Sequence, residues 1–408
     1  MSSPGGIELS IVLPCLDEEA SVGAVVDEAW AGIRRSGLEG EVVVVDNGST
    51  DRSVEIAEEH GARVVHEARR GYGSAYLRGL DESRGDVIVM ADADGTYPLA
   101  DLEPFLERLR QGDDLVLGSR FRGRIHAGAM PWAHRWIGNP VLTWILNVFF
   151  GVKVSDAHCG LRALRRDALP VLQLQSTGME FASEMILKAS KRKLRISDVP
   201  IDYRPRTGES KLNTWRDGWR HLRFMLVHSA TFLFIVPGLL LLALGLLIMI
   251  PLAGGPVELF GLTWYVHAMI AGSLATLVGA QVVQLGLFAR TYAVLYLDDR
   301  DPTLERVWSR VRLEHGLLLG FLLLLGGAGI MIAIFVEWAR NDFGALAREH
   351  ESLLALTLVG LGVQTIFGSF FLSVLGLRKH LVFDRRAREE AQVEAEEAGE
   401  LVGGGTRN

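Results

Sequence analysis

The sequence predicts an α/β domain on a mainly parallel sheet, followed by an all-α membrane domain of four transmembrane helices. Three observations carry this expectation. Short β-branched apolar runs alternate with amphipathic segments through the first half. Four long stretches without charge fill the second half. Charge is segregated, with 188–223 dense in Lys and Arg and the tail after Arg388 acidic.

The first apolar run, 7–13, ends at Pro14. The second, 41–45, ends in Asp46-Asn47-Gly48, and the third, 86–91, ends at Asp92. Each is closed by a turn signal, as buried strands are. Between them, 21–36 starts with Ser at a helix N-cap position, 49–60 starts Ser-Thr-Asp and stops before Gly61, and 74–83 follows a glycine-rich turn. Ser, Thr and Asp suit helix starts, and Gly suits ends. Strand–helix alternation implies right-handed crossovers in a parallel sheet. Ligands then sit beyond the carboxyl ends of the strands, where Asp17, Glu18, Asp46, Asp92 and Asp94 fall.

Hydrophobic residues make up 49% of the chain and the mean hydropathy is +0.22, an excess concentrated after residue 228. The stretches 229–250, 262–289, 316–336 and 353–377 carry no Asp, Glu, Lys or Arg. A helix of about 22 residues reaches about 33 Å, enough to cross a hydrocarbon core of about 30 Å. Two helical hairpins result. Arg290, Arg300, Arg306, Arg310 and Arg312 lie between the second and third stretches, and Arg378, Lys379, Arg385, Arg386 and Arg388 follow the fourth. The positive-inside rule places both termini in the cytoplasm. Residues 1–8 lack a basic segment before an apolar core, so no signal peptide is expected. The expected domains are 1–228, cytoplasmic, with interfacial helices near 131–150 and 214–228; 229–378, the membrane helices; and 379–408, a disordered cytoplasmic tail. Residues 131–150 gather Trp132, Trp136, Ile145, Phe149 and Phe150 with few charges, which fits a helix lying in the membrane interface; a buried core helix is the alternative. Gln281, Gln284 and Gln364 inside the spans are expected to hydrogen-bond between helices.

The net charge of −7 and the lack of a basic–aromatic ladder disfavour nucleic acid. Cys15 and Cys159 are the two cysteines, too few for a disulfide framework.

Chemistry is concentrated in a few motifs. Ala91-Asp92-Ala93-Asp94 closes a strand, where alternate residues face one way, so both carboxylates can hold Mg²⁺ or Mn²⁺ with diphosphate oxygens completing the shell. A solvated acidic turn is the plainer account of such a pair taken alone. Asp46, in Val45-Asp46-Asn47-Gly48-Ser49-Thr50-Asp51, can accept hydrogen bonds from a base or ribose. Arg69-Arg70-Gly71-Tyr72-Gly73 leads into a helix and offers a phosphate approach, but it lacks the last glycine of a dinucleotide fingerprint. Asp156-Ala157-His158-Cys159 has metal-ligand residue types in a set too compressed for zinc.

The ordered series Pro-x-x-Asp-Glu from Pro14, Val-Asp-Asn-Gly-Ser-Thr-Asp from Val45, Arg-Gly-Tyr-Gly from Arg70, Asp-Ala-Asp-Gly-Thr-Tyr-Pro from Asp92, Gly-Ser-Arg from Gly118 and Arg-Thr-Gly-Glu-Ser-Lys from Arg206 resembles the family 2 glycosyltransferases. It is most similar to their polyprenyl-phosphate (dolichyl-phosphate) mannose and glucose synthases, over about residues 7–225. The resemblance implies a GT-A fold and inverting transfer of a hexose, glucose or mannose, from a UDP- or GDP-sugar to dolichyl or undecaprenyl phosphate. It implies that Pro14, Glu18 and Asp46 contact the nucleoside, that Gly71 and Tyr72 border it, and that Ala91, Asp92 and Ala93 line the donor. Asp92 and Asp94 would hold metal, while Arg120, Arg135, Asn139, Arg206 and Lys211 would gather the acceptor phosphate. Asp94, Arg120, Arg135 and Lys211 form the implied catalytic set, and Asp156-Ala157-His158-Cys159-Gly160-Leu161-Arg162 resembles the family's acceptor-side loop. Two departures stand out: Asp17 replaces a common Asn, and Gly95-Thr96 replaces Leu-Gln, leaving Thr96 a weaker metal-shell group. A lipid phosphate is already an oxyanion, so positioning by cations suffices without a general base. Membrane lipid and a homo-oligomer formed through the spans are the other expected partners. A processive polysaccharide synthase is an alternative, though its Gln-x-x-Arg-Trp motif is absent; a glycolipid transporter or scaffold with a binding-only soluble domain is the other.

Overall fold

A computed structural model describes residues 6–208, 214–259, 261–296 and 313–376. It contains two compact units, Met1–Ser229 and Ala230–Asn408. The expected tail, 379–408, and Lys211 lie outside the described residues.

The first unit is built on seven strands: β1 (Leu9–Cys15), β2 (Gly40–Asp46), β3 (Arg63–His66), β4 (Val87–Met90), β5 (Leu115–Ile125), β6 (Arg162–Arg165) and β7 (Ile196–Tyr203). Their order is β3-β2-β1-β4-β6-β5-β7. Pairing is parallel throughout β3-β2-β1-β4 and between β5 and β7, and β6 runs antiparallel to both of its neighbours. The mainly parallel sheet is therefore as expected; the reversed β6 is the addition. Strand order turns back at β1 and β4, and such switch points open a crevice beyond the strand ends.

Helices α1 (Val22–Ser36), α2 (Ser53–Glu59), α3 (Tyr72–Glu82), α4 (Glu103–Arg110), α5 (Asn139–Phe150), α6 (Ala168–Leu172), α7 (Phe181–Lys191) and α8 (Thr214–Val227) cover the sheet. Two apolar clusters result. One contains Val25, Val26 and Ala29 of α1 with Phe105 and Leu106 of α4; the other contains Tyr76, Leu80, Leu146, Phe181, Met185 and Met225. Full burial of such side chains contributes about 1.5–3 kcal/mol each.

Two expected helix starts differ. Ser21 makes no side-chain cap bond to α1; its hydroxyl donates to the Ala93 carbonyl at 2.8 Å. Helix α2 begins at Ser53, four residues later than expected, because Ser49 and Asp51 bond to a neighbouring loop.

Gly79 shows how closely α3 meets the sheet. A Cβ there would lie 2.3 Å from Val12 Cγ1 and 2.8 Å from Val45 Cγ2, and neither branched core residue can swing away. Gly79→Ala should destabilise the unit by about 1–3 kcal/mol through overpacking, read as a lower thermal-unfolding midpoint. An unchanged midpoint would contradict this packing.

The second unit contains four helices long and apolar enough to span a membrane: Thr231–Leu252, Val266–Val294, Leu313–Arg340 and Glu349–Leu375. The corresponding α-helices are α9 (Val236–Leu252, after a π-turn), α10 (Val266–Tyr296), α11 (Leu313–Arg340) and α12 (Glu349–Gly376). They pair as two hairpins through glycine. A Cβ on Gly245 of α9 would lie 2.4 Å from the Thr276 backbone nitrogen, and one on Gly327 of α11 would lie 2.6 Å from the Ala355 carbonyl oxygen. Such small-residue contacts favour close helix packing in lipid. Among the described residues, Ser273 and Thr357 share an interhelical hydrogen bond of 2.6 Å. Among the described residues, Gln364 Oε1 is buried without a partner.

Candidate active site

The crevice floor is laced across two loops. Asp17 N–H donates to Ser49 Oγ at 3.0 Å, and Glu18 N–H to Ser53 Oγ at 2.7 Å. In return, Thr50 N–H donates to Asp17 Oδ1 at 2.7 Å. Asp17 has φ +48°, a conformation for which Asp and Asn are better suited than bulkier residues. Pro14 occupies β1 opposite Val45. At the end of β2, Asp46 accepts from Ser49 N–H at 2.9 Å and meets His66 Nδ1 at 3.1 Å. Partial burial raises its pKa, but hydrogen bonds from Ser49 and His66 outweigh that and hold it below the ordinary carboxylate value.

Asp92 and Asp94 follow β4. The strand ends at Met90, and Ala93 and Asp94 already lie in a turn, so the expected strand alternation does not reach the pair. Asp92 Oδ1 accepts from the Tyr72 hydroxyl at 3.1 Å and the Tyr76 hydroxyl at 3.4 Å. Its carboxyl is pushed up to about 7 by burial and then by the charge of Asp94, so the two groups repel each other. Asp94 Oδ1 accepts from Thr96 N–H at 3.1 Å and Thr96 Oγ1 at 2.6 Å. Thr96 thus fixes the carboxylate's orientation.

The segment before 209 lies on this turn. Arg204 N–H donates to the Thr96 carbonyl at 3.0 Å, and Thr207 N–H to the Asp94 carbonyl at 3.1 Å. Arg206 pairs with Glu18, and its Nη1 lies 3.5 Å from Asp94 Oδ2. Glu18, Asp94 and Arg206 therefore meet, although the motifs suggested separate donor and acceptor sides.

The glycine-rich turn packs closely against a neighbouring loop. A Cβ on Gly71 would lie 2.2 Å from the Thr177 carbonyl oxygen, and one on Gly73 2.1 Å from that of Ser176. Ser74 N–H donates to Thr177 O at 3.1 Å. These carbonyls lie against the start of α3, and Gly71 N–H donates to Asn47 Oδ1 at 2.7 Å. Glu184, a carboxylate the sequence reading missed, holds that covering loop by accepting from the N–H groups of Gln175 and Ser176 at 3.1 and 2.8 Å.

On the adjoining side, Arg120 is buried against Asp156, with Nε–Oδ2 at 2.6 Å and Nη2–Oδ1 at 2.8 Å. This pairing commits Asp156, and no group of three metal-ligating side chains occurs among the described residues. Arg162 is fully buried and donates to the carbonyls of Cys159, Ala182 and Ala157. Gly160 abuts the acidic pair: a Cβ there would lie 2.6 Å from Asp92 Oδ2. The only early signal for these residues was the Asp156–Arg162 loop itself.

Arg135 lies in a π-turn, His134–Gly138, before α5, its guanidinium 5.3 Å from the Trp136 ring centre. Asn139 Nδ2 is 3.7 Å from Met130 Sδ. Trp132, Trp136, Trp144 and Trp219 are each more than half exposed.

The Glycosyl transferase family 2 profile matches residues 10–172, and the Glycosyltransferase family 2 C-terminal transmembrane region matches 287–376. The chain belongs to glycosyltransferase family 2: it is a membrane enzyme with a GT-A domain followed by a helical transmembrane region. It is 42% identical over 369 residues to the low-salt glycan biosynthesis hexosyltransferase Agl6 of Haloferax volcanii, covering 90% of this chain and 89% of that protein. The dolichyl-phosphate hexose transferase of the same organism is 34% identical over 212 residues, 52% of this chain and 89% of that one. A crystal structure of glucosyl-3-phosphoglycerate synthase from Mycobacterium tuberculosis aligns over 55% of this chain and 81% of that one, with 24% identity and TM-score 0.44.

Proposed function

We propose that the protein transfers a hexose, glucose or mannose, from a nucleotide-sugar to a polyprenyl phosphate, with inversion, on the cytoplasmic leaflet. The observation that supports this reading is an acidic pair with arginines beside it: Arg206 lies 3.5 Å from Asp94, and Arg120 of β5 pairs with Asp156 in the loop whose Gly160 abuts Asp92. A nucleoside diphosphate needs the first feature, and a phosphate nucleophile needs the second. The names of the Haloferax relatives support a hexose and a dolichyl phosphate.

Pro14, Glu18 and Asp46 would contact the nucleoside, with Gly71, Tyr72, Ala91 and Ala93 around it. Mg²⁺ or Mn²⁺ fits Asp92 and Asp94, whose carboxylates repel each other and have Arg206 as a neighbouring cation. When bound, the metal would offset charge on the departing diphosphate. Arg120, Arg135, Asn139, Arg206 and Lys211 would orient the acceptor oxyanion beside the anomeric carbon and screen its repulsion from the donor. Arginine suits such contacts because its planar fork grips phosphate at two points. Exposed Trp132, Trp136 and Trp144 would seat residues 131–150 at headgroup level. Arginines in 290–315 and after 376 would keep both termini cytoplasmic.

Membranes supplied in turn with labelled UDP-glucose, UDP-galactose, UDP-N-acetylglucosamine and GDP-mannose, with or without undecaprenyl phosphate, test this reading. One donor should label the lipid phosphate, and EDTA should stop it. Label entering long polysaccharide without added lipid phosphate would refute the proposal.

A further inference from the structure

The loop 156–160 is tied down by several hydrogen bonds, with one exception. Asp156 holds Arg120 and also accepts from His158 N–H at 3.2 Å. Ala157 N–H donates to Thr143 Oγ1 at 3.2 Å, and Gly160 N–H to the Tyr97 hydroxyl at 2.8 Å. Arg162 grips the carbonyls of Ala157 and Cys159 at 2.9 and 3.0 Å. The exception is the His158 imidazole. Both ring nitrogens are buried, and neither has a partner among the described residues. The ring packs edge-to-face on His221, centres 4.5 Å apart, and His221 Nδ1 meets Ser183 Oγ at 2.9 Å.

A buried polar group left unpaired is destabilising, and a native fold that keeps one invites a functional account. The surroundings indicate which. Burial, then His221, Arg120 and Arg162, hold His158 well below its ordinary pKa, so the ring is neutral, with one N–H to give. A donor among cations suits an anionic oxygen. Two residues further on, Gly160 touches Asp92.

We propose that His158 is the acceptor-recognition residue of this loop, donating a hydrogen bond from its imidazole to an oxygen of the acceptor phosphate. Arg162 acts as a positioning residue that holds the loop while His158 reaches the ligand. This rests on the acceptor reading above. Cost and function are coupled: the unpaired imidazole weakens the free enzyme, and acceptor binding pairs its N–H nitrogen.

The test uses full-length enzyme in detergent with undecaprenyl phosphate as acceptor. His158→Leu should lower acceptor kcat/KM tenfold or more, leave UDP and GDP dissociation constants within about twofold, and leave the thermal midpoint level or higher. His158→Asn, which keeps a donor, should recover part of the acceptor KM. A lower midpoint with unchanged acceptor kinetics would overturn the proposal, because the imidazole would then be structural. Weakened nucleotide binding would also overturn it, by moving His158 to the donor side. If the leucine variant loses both stability and activity, the asparagine variant decides: recovery supports the proposal and its absence overturns it. A wild-type enzyme that binds nucleotide but never labels undecaprenyl phosphate overturns the acceptor reading, and this inference with it.

Discussion

Asp94→Asn should nearly abolish transfer while leaving the fold intact. The side chains have the same shape, and an amide oxygen can still accept from Thr96 N–H and Oγ1, so the turn through Gly95 is retained. The lost charge matters because a neutral amide is a poor ligand for a hard cation. A Lewis acid supplies several kcal/mol to such a reaction, and each 1.36 kcal/mol is tenfold in rate. A fall of about a hundredfold to ten-thousandfold is expected. Stability should change little, since Asp92 loses a repelling neighbour while Arg206 loses one carboxylate partner and keeps Glu18. The measurements are transfer rate, thermal midpoint and nucleotide affinity with and without Mn²⁺. Full wild-type activity in EDTA would refute metal dependence.

Asp156→Ala should be the most destabilising single change at the site. Arg120 has a 7% exposed side chain and Asp156 a fully buried one, joined through two contacts of 2.6 and 2.8 Å. Removing one member of a buried pair leaves an uncompensated charge, at a cost of about 3–5 kcal/mol. Replacing both members with apolar residues is often neutral or stabilising. The double variant Arg120→Met with Asp156→Leu should therefore recover most of the thermal midpoint lost by Asp156→Ala. Recovered stability without recovered transfer would place Arg120 in acceptor handling. Recovery of both would make the pair purely structural.

Much of this architecture was legible in the chain. The runs ending at Pro14, Asp46 and Asp92 become β1, β2 and β4, and the four uncharged stretches become long apolar helices. These signals are local. A buried strand needs consecutive apolar residues, and a span needs about 20 of them. The remaining strands were harder to read. β3 and β6 have four residues each, and the outer half of β5 carries Arg120, Arg122 and Arg124, a pattern without an apolar period.

The sequence by itself determined the succession of elements, the apolar faces, the motif order and the kinds of side chain delivered to the strand ends. Each follows from local spacing and composition. Tertiary structure alone decided their partners. Ser21 looks like a cap but binds the Ala93 carbonyl. Gly71 and Gly73 open a helix in the sequence, and only the fold shows that they also admit the Ser176–Thr177 carbonyls. Arg206 meets Glu18 and Asp94, residues far from it in sequence. His158 is left as the unpaired imidazole of a tightly bonded loop. The reason is physical: burial, charge repulsion and hydrogen-bond satisfaction depend on what the folded chain brings within about 3–4 Å.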